Sequence, residues 1–492
     1  MRGSRRWVGI AAMLLGPLLP LMVLRAVIRI DARLFSAHTH LVIVSALAVL
    51  ALAIAAVAVV TANSSRHPGL VYLACGSAGL GIFMLGHGLT TPGVLGQPSN
   101  AWVGRLPHLA VAVFAVGLHL ASGSVDTRVG RFVSGHASVV VPLVVATMAV
   151  GTGVVVADPS LVPLRAWEEN VFDVVSSLIV VVCLTVVLTH WRRWRLGSDA
   201  VQLALTFAAA MTMAATLSLE HGRMGRLSWW DYHANLLAGF SFAVYAVARR
   251  GQKSRAVTGV LQTAFTDDPF EHIVRGYPDA LRQLVKAVEV KDAYTHGHSE
   301  RTARVATELG LRMRLRPDVL RVIARGAYLH DLGKIGIPDH ILNKPGQLTP
   351  DERATISTHP QLGYEIACGS APLTEVLGVI LHHHERYDGG GYPHGLTGAA
   401  IPLEARVVMV ADVWDALTSD RAYRRGWGST QALAHIEAGR GTHFDPSVVD
   451  AMVDLAAEWG IGRDDRPGSA EAGWAAAQSC HHVEPEAELV GV

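Results

Sequence analysis

The first half of the chain is a succession of long apolar runs, and nothing else in the sequence restricts its fold as much. Eight stretches come close to the roughly 20 residues needed to cross a bilayer: 7–28, 41–62, 69–89, 106–122, 138–157, 170–190, 199–219 and 229–248. A backbone surrounded by lipid must satisfy its own polar groups, so runs of this length read as helices. Residues 1–250 are therefore expected to form a multi-pass transmembrane domain. Composition agrees: half of the 492 residues are hydrophobic and only 17% are charged. The apolar excess is confined to this half, and from residue 251 the chain has ordinary soluble character.

An even number of crossings puts both termini on one side, and the arginines indicate which. Arg2, Arg5 and Arg6 precede the first run, and Arg128 and Arg131 follow the fourth. Arg192, Arg193 and Arg195 follow the sixth, and Arg249, Arg250, Lys253 and Arg255 follow the last. The alternate loops are poorer in arginine, and one carries Glu168 and Glu169. The positive-inside rule then places the N-terminus and everything after residue 250 in the cytoplasm. Trp191, Trp194, Trp229 and Trp230 stand at run ends, where indoles favour the interface. The first run is basic at its start but lacks a small-x-small cleavage site, so it reads as a retained helix.

Ionisable groups inside a membrane are costly and usually serve a function. The membrane half holds His87, His108, His119, His221 and His233. His87 and His119 are the best candidates for a sensor site binding a metal, haem or small ligand. The alternative is that these histidines cap helix ends or sit in loops. Cys75, Cys183, Cys368 and Cys480 form no tight pair, which argues against a disulfide framework or a thiolate zinc site. A net charge of +1 gives no reason to expect a nucleic-acid polymer as partner.

Residues 251–284 read as a helical linker. Val257, Val260, Leu261 and Ala264 recur at helical spacing and suit either a signalling connector that pairs two chains in a homodimer or a packing helix. Leu281, Leu284, Val285 and Val288 suit a packing helix. Helical patterns then cover Ser299–Met313, Asp318–Leu329, Leu373–Glu385, Glu404–Leu417 and Ser429–Gly439, and no stretch alternates strictly enough for a strand. Thr349-Pro350-Asp351-Glu352 is a capping box with proline at the first helical position, so a helix starts there. The expected fold class is all-α throughout, with a disordered tail over 463–492, rich in Gly, Pro, Ala and acidic residues.

The chemistry concentrates in residues 285–462. His298, His330-Asp331, His359, His383-His384 and Asp412 each lie on or at the end of a helix whose other side is apolar, so their side chains point inward together. Imidazoles and carboxylates without cysteine suit a hydrolytic di-iron or di-manganese centre, with zinc possible. Two divalent ions a few Å apart can clamp the entering and leaving oxygens of a displacement at phosphorus.

Four segments carry a resemblance to a known family. They are Lys291–Arg301, His330–Pro338 (His-Asp-Leu-Gly-Lys-Ile-Gly-Ile-Pro), His383–Pro393 (ending Gly-Gly-Gly-Tyr-Pro) and Ala411–Arg421. Together they resemble the HD-GYP branch of the HD phosphohydrolase superfamily, from about Val285 to Leu455. The resemblance implies hydrolysis of the bacterial messenger cyclic di-GMP to pGpG or GMP. It implies His298, His330, Asp331, His359, His383, His384 and Asp412 as metal ligands, with Asp331 bridging two metals. Lys334 would hold a non-bridging phosphate oxygen. Gly391, Tyr392 and Pro393 would line the substrate pocket. Arg421 and Arg424 would contact phosphate or guanine, surface solvation being the alternative. His382 is set aside as a bystander and His443 as structural. Some members hold a third metal on an acidic residue four positions before the first ligand histidine. Here that position is Tyr294, which favours two.

Overall fold

The computed structural model describes residues 4–27, 30–34, 36–94, 100–123, 127–163, 168–197, 199–254, 264–265, 269–274, 279–292, 297–420 and 425–461. The proposed tail, Tyr294, Arg421, Arg424 and most of the first linker run lie outside them. The fold is all-α: among the described residues there is no strand, only isolated bridges such as Asp388 with Thr397. The chain divides into two compact units. One joins Met1–Trp194 with Ser198–Asp268, and the other joins Arg195–Gly197 with Pro269–Val492.

Among the described residues, seven helices are long and apolar enough to cross a membrane, against eight expected from sequence. They are Gly9–Ala26, Ala37–Ser65, Pro68–Leu89, Ala101–Ser122, Ala137–Ala157, Val171–Gly197 and Ala200–His221. The eighth run is helical over Leu227–Ser254, but Asp231, His233 and Asn235 dilute its apolar character. Outward-facing Val139, Leu143, Val150, Val174 and Leu178 are exposed, as on a helix that faces lipid. The inward faces are lined by small residues, among them Ala51, Ala55, Ala58, Ala74 and Ala110, which lets backbones pack closely. Thr206, Thr212 and Thr216 each donate a hydroxyl to the carbonyl four residues back. This satisfies a polar group without leaving the helix.

In the second unit a buried cluster joins helices His298–Arg312, Pro317–Leu329, Leu403–Thr418 and Pro446–Glu458. Ala303, Ala306, Ile323, Ala327, Val407, Val410 and Trp414 form its centre. Val285 and Val288, from helix Asp279–Lys291, are buried against Leu329, Leu332 and Ile380, as a packing helix requires. The capping box is present: Thr349 accepts from Glu352 N, and the Glu352 side chain accepts from Thr349 N, at the start of helix Pro350–Ile356. The segment read as one helix over Leu373–Glu385 instead begins as a 3-10 turn, Ala371–Val376, and is α-helical only over Leu377–His382. The shortening sets His383 and His384 just past a helix end.

Candidate metal centre

Each inward-pointing histidine is oriented by what its other ring nitrogen does. His330 Nδ1 lies 2.6 Å from Ala327 O, His359 Nδ1 2.9 Å from Ile356 O, and His383 Nδ1 2.9 Å from Ile380 O. A carbonyl can only accept, so each Nδ1 carries the proton and each Nε2 presents a lone pair. The acceptor is three residues back in every case, so one helical turn sets the ring.

These lone pairs converge. His359 Nε2 is 3.2 Å from His383 Nε2, and His298 Nε2 is 3.4 Å from His330 Nε2. Two donor groups result: His298, His330 and Asp412 on one side, His359, His383 and His384 on the other. Asp331 lies between them. Its Oδ2 is 3.4 Å from His330 Nε2, and its Oδ1 is 3.4 Å from His359 Nε2. The donor chemistry therefore fits a pair of cations sharing one carboxylate. The Nε2 lone pairs of His359 and His383 face each other, whereas His298 Nε2 also stands 3.2 Å from Asp412 Oδ1.

Burial and charge act on the two groups differently. Burial pulls His359 down to about 4 and His384 down to about 3, so both are neutral donors. Burial would also lower His298, but hydrogen bonds and charge from Asp412 and Asp415 outweigh it and push it up to about 10. Burial would raise Asp331, but His330, Lys334 and the neighbouring imidazoles hold it well below the usual carboxylate range. The carboxylate is thus ionised and ready to bind cations.

Two supporting groups were not legible as such in the sequence. His298 Nδ1 lies 2.7 Å from Asp415 Oδ2, and Arg301 grips the same carboxylate at 2.7 and 3.0 Å. Asp415 is one turn beyond Asp412 on helix Leu403–Thr418, and that i, i+3 spacing was the available signal. Lys334 Nζ sits 2.8 Å from Asp331 and 3.0 Å from Asp292. Burial would lower Lys334, but the two carboxylates raise it above its ordinary value, so it is a fixed cation. Replacing Asp415 with Asn is expected to weaken metal binding about 10- to 100-fold, as loss of a partner behind a ligand histidine usually does. Metal-buffered titration of the purified protein measures this.

The Gly391–Pro393 loop covers the second donor group. The Tyr392 ring stacks on His384 at a centroid distance of 4.9 Å. A Cβ on Gly391 would lie 2.2 Å from Arg386 N and 2.5 Å from His384 O, so only glycine lets the loop pass here. Glu385 holds the far side of the loop, accepting from His394 N at 2.8 Å and Leu396 N at 3.0 Å. Gly391→Ala is expected to displace the His384 backbone and cost about 100-fold in turnover, the usual penalty for misplacing a reacting group by ~1 Å. Steady-state assay beside a thermal melt separates this from simple unfolding. His382 stands outside both donor groups, 3.6 Å from Glu385. His443 stacks on Phe444, away from the cluster.

A family model described as HD domain matches residues 282–448. The cyclic di-GMP phosphodiesterase response regulator RpfG of Xanthomonas campestris pv. campestris is 48% identical over 177 residues, 36% of this chain and 47% of that protein. A cyclic di-GMP phosphodiesterase of Pseudomonas aeruginosa is 36% identical over 232 residues, 47% of this chain and 55% of that protein. The 3'3'-cGAMP-specific phosphodiesterase 2 of Vibrio cholerae is 37% identical over 178 residues, 36% of this chain and 34% of that protein. The chain thus spans about half, or less, of the length of these relatives. The matched segment carries the donor cluster, the His-Asp pair and the Gly-Tyr-Pro loop, and residues 282–448 of this chain are an HD domain.

Proposed function

We propose that the chain is a membrane-anchored, metal-dependent phosphodiesterase that hydrolyses cyclic di-GMP to pGpG or GMP. The observation that carries the reading is Asp331, whose two oxygens face two separate imidazole groups while Lys334 stands beside it. His298, His330, Asp331 and Asp412 would hold one divalent ion, and Asp331, His359, His383 and His384 the other, with iron or manganese favoured and zinc possible. Such ions, when bound, supply Lewis acidity at the phosphodiester and a nucleophile at neutral pH.

The chain's own residues do the rest. The Nδ1 contacts of His330, His359 and His383 fix which nitrogen is offered. Lys334 places positive charge where the phosphate oxygen gains negative charge. Tyr392 and Gly391 form one wall of the pocket, and Arg421 and Arg424 are proposed to reach the phosphate or guanine. The seven apolar helices support a membrane protein. Taking helix Leu227–Ser254 as an eighth crossing, we place the C-terminal half on the cytoplasmic side from the arginine bias, and reporter fusions at residues 124 and 250 test this orientation.

Metal-loaded full-length protein incubated with cyclic di-GMP is expected to release pGpG. Fully metallated protein that leaves the substrate intact overturns the reading. The similarity to a 3'3'-cGAMP-specific enzyme makes that dinucleotide the second candidate, and turnover of the two side by side decides between them.

A further inference from the structure

A second group of buried imidazoles lies in the first unit, and it was only partly visible in the sequence. His40, near the start of helix Ala37–Ser65, His87, near the end of Pro68–Leu89, and His233, near the start of Leu227–Ser254, are 0%, 2% and 1% exposed. Each offers a ring nitrogen, and these atoms all lie within 4.8 Å of one another. His119, the other sensor candidate, is exposed and bonded to Thr185 instead.

The hydrogen bonds fix two of the three tautomers. His87 Nδ1 is 2.6 Å from Val103 O, so it carries the proton and Nε2 offers a lone pair. Thr91 donates its one hydroxyl proton to His87 O at 2.9 Å. It must therefore accept from His40 Nδ1, 2.9 Å away, which leaves His40 Nε2 as a lone pair too. His40 Nε2 is 3.0 Å from His233 Nε2. If His233 keeps its proton on Nε2, its buried Nδ1 lone pair has no hydrogen-bond donor. If the proton sits on Nδ1, towards the Trp229 backbone one turn back, the Nε2 lone pairs of His40 and His233 face each other at 3.0 Å with no donor between them, beside the His87 Nε2 that accepts from Tyr232.

We infer that His40, His87 and His233 form a metal site of their own, taking a single first-row transition ion that prefers imidazole, Zn(II) or copper. Three nitrogens without thiolate or an adjoining carboxylate select for such ions over Mg(II) or Ca(II). Two nitrogens bound to one tetrahedral ion at about 2.0–2.1 Å stand about 3.3 Å apart, and the observed 3.0 Å is a few tenths short of that. The carbonyl and hydroxyl behind His87 and His40 are the outer partners that ligating histidines use. The Tyr232 hydroxyl, 2.7 Å from His87 Nε2, holds the place of the ion in its absence or becomes its fourth ligand. A cleft of about 450 Å³ is lined by Arg33, Thr39 and Trp230. The Trp230 ring lies 5.6 Å from His40 and 5.1 Å from His233. The site does not depend on the catalytic reading above.

The test uses full-length protein with Asp331→Ala and His359→Ala, which disable the C-terminal centre. Stripped of metal in detergent and titrated with Co(II), it is expected to bind about one ion per chain with the visible absorption of a low-coordinate nitrogen site. Zn(II) should displace it, and His87→Gln or His233→Gln should abolish the band in protein that still elutes as one peak. Tyr232→Phe removes the competing hydroxyl while keeping the ring, and the band should persist. Absence of a Co(II) band in both the parent and Tyr232→Phe proteins overturns the inference. So does a band that His87→Gln and His233→Gln leave unchanged.

Discussion

Asp331→Ala is expected to abolish cyclic di-GMP hydrolysis, lowering kcat by on the order of 10³-fold or more, while the protein stays helical and monodisperse. The size follows from where the carboxylate stands. One preorganised electrostatic group is commonly worth about 10²–10³ in rate. Asp331 contributes to both donor groups, so its loss disables both at once. Metal content should fall in parallel, which distinguishes this variant from one that only misplaces substrate. Helix Pro317–Leu329 ends just before it, and Leu329 and Leu332 are buried on either side, so the backbone keeps its place without the carboxylate. Unchanged turnover would show that the reaction occurs elsewhere.

Lys334→Met should lower kcat by about 10²–10³-fold with metal content retained, because it removes the cation beside the developing phosphate charge without removing a metal donor. It should also destabilise the protein. Lys334 is the shared partner of Asp331 and Asp292, whose side chains are 9% and 5% exposed. Removing one member of such a buried group typically costs about 3–5 kcal/mol, since the remaining charges lose their compensation. Adding Asp292→Asn should recover part of the thermal stability and none of the turnover. Recovery of both would make Lys334 a structural cation only.

The sequence disclosed the all-α class and the inward-facing histidines because both are written in local patterns. Helical periodicity and adjacent pairs such as His330-Asp331 need no tertiary information. What escaped reading depends on partners far apart in the chain. Asp415 reaches His298 across 117 positions, and His40 meets His233 across 193. His40 sits at the head of an apolar helix, where one imidazole reads as a helix end; only packing shows three rings sharing a space. The eighth apolar run fails as a clear membrane span for a related reason: Asp231 and Asn235, which dilute it, bond within the protein, Asp231 accepting from both Asn235 and Ser218.

The contacts behind the ring nitrogens also order the events of assembly. His330, His359 and His383 each take their orientation from a carbonyl three residues back, so those rings are aimed as soon as their own turns form. His298 Nδ1 has its short contact, 2.7 Å, with Asp415, a residue that synthesis delivers 117 positions later. The donor group built on His298 is complete only when helix Leu403–Thr418, which carries both Asp412 and Asp415, has docked. A chain that ends before that helix would therefore lack both carboxylates that meet His298.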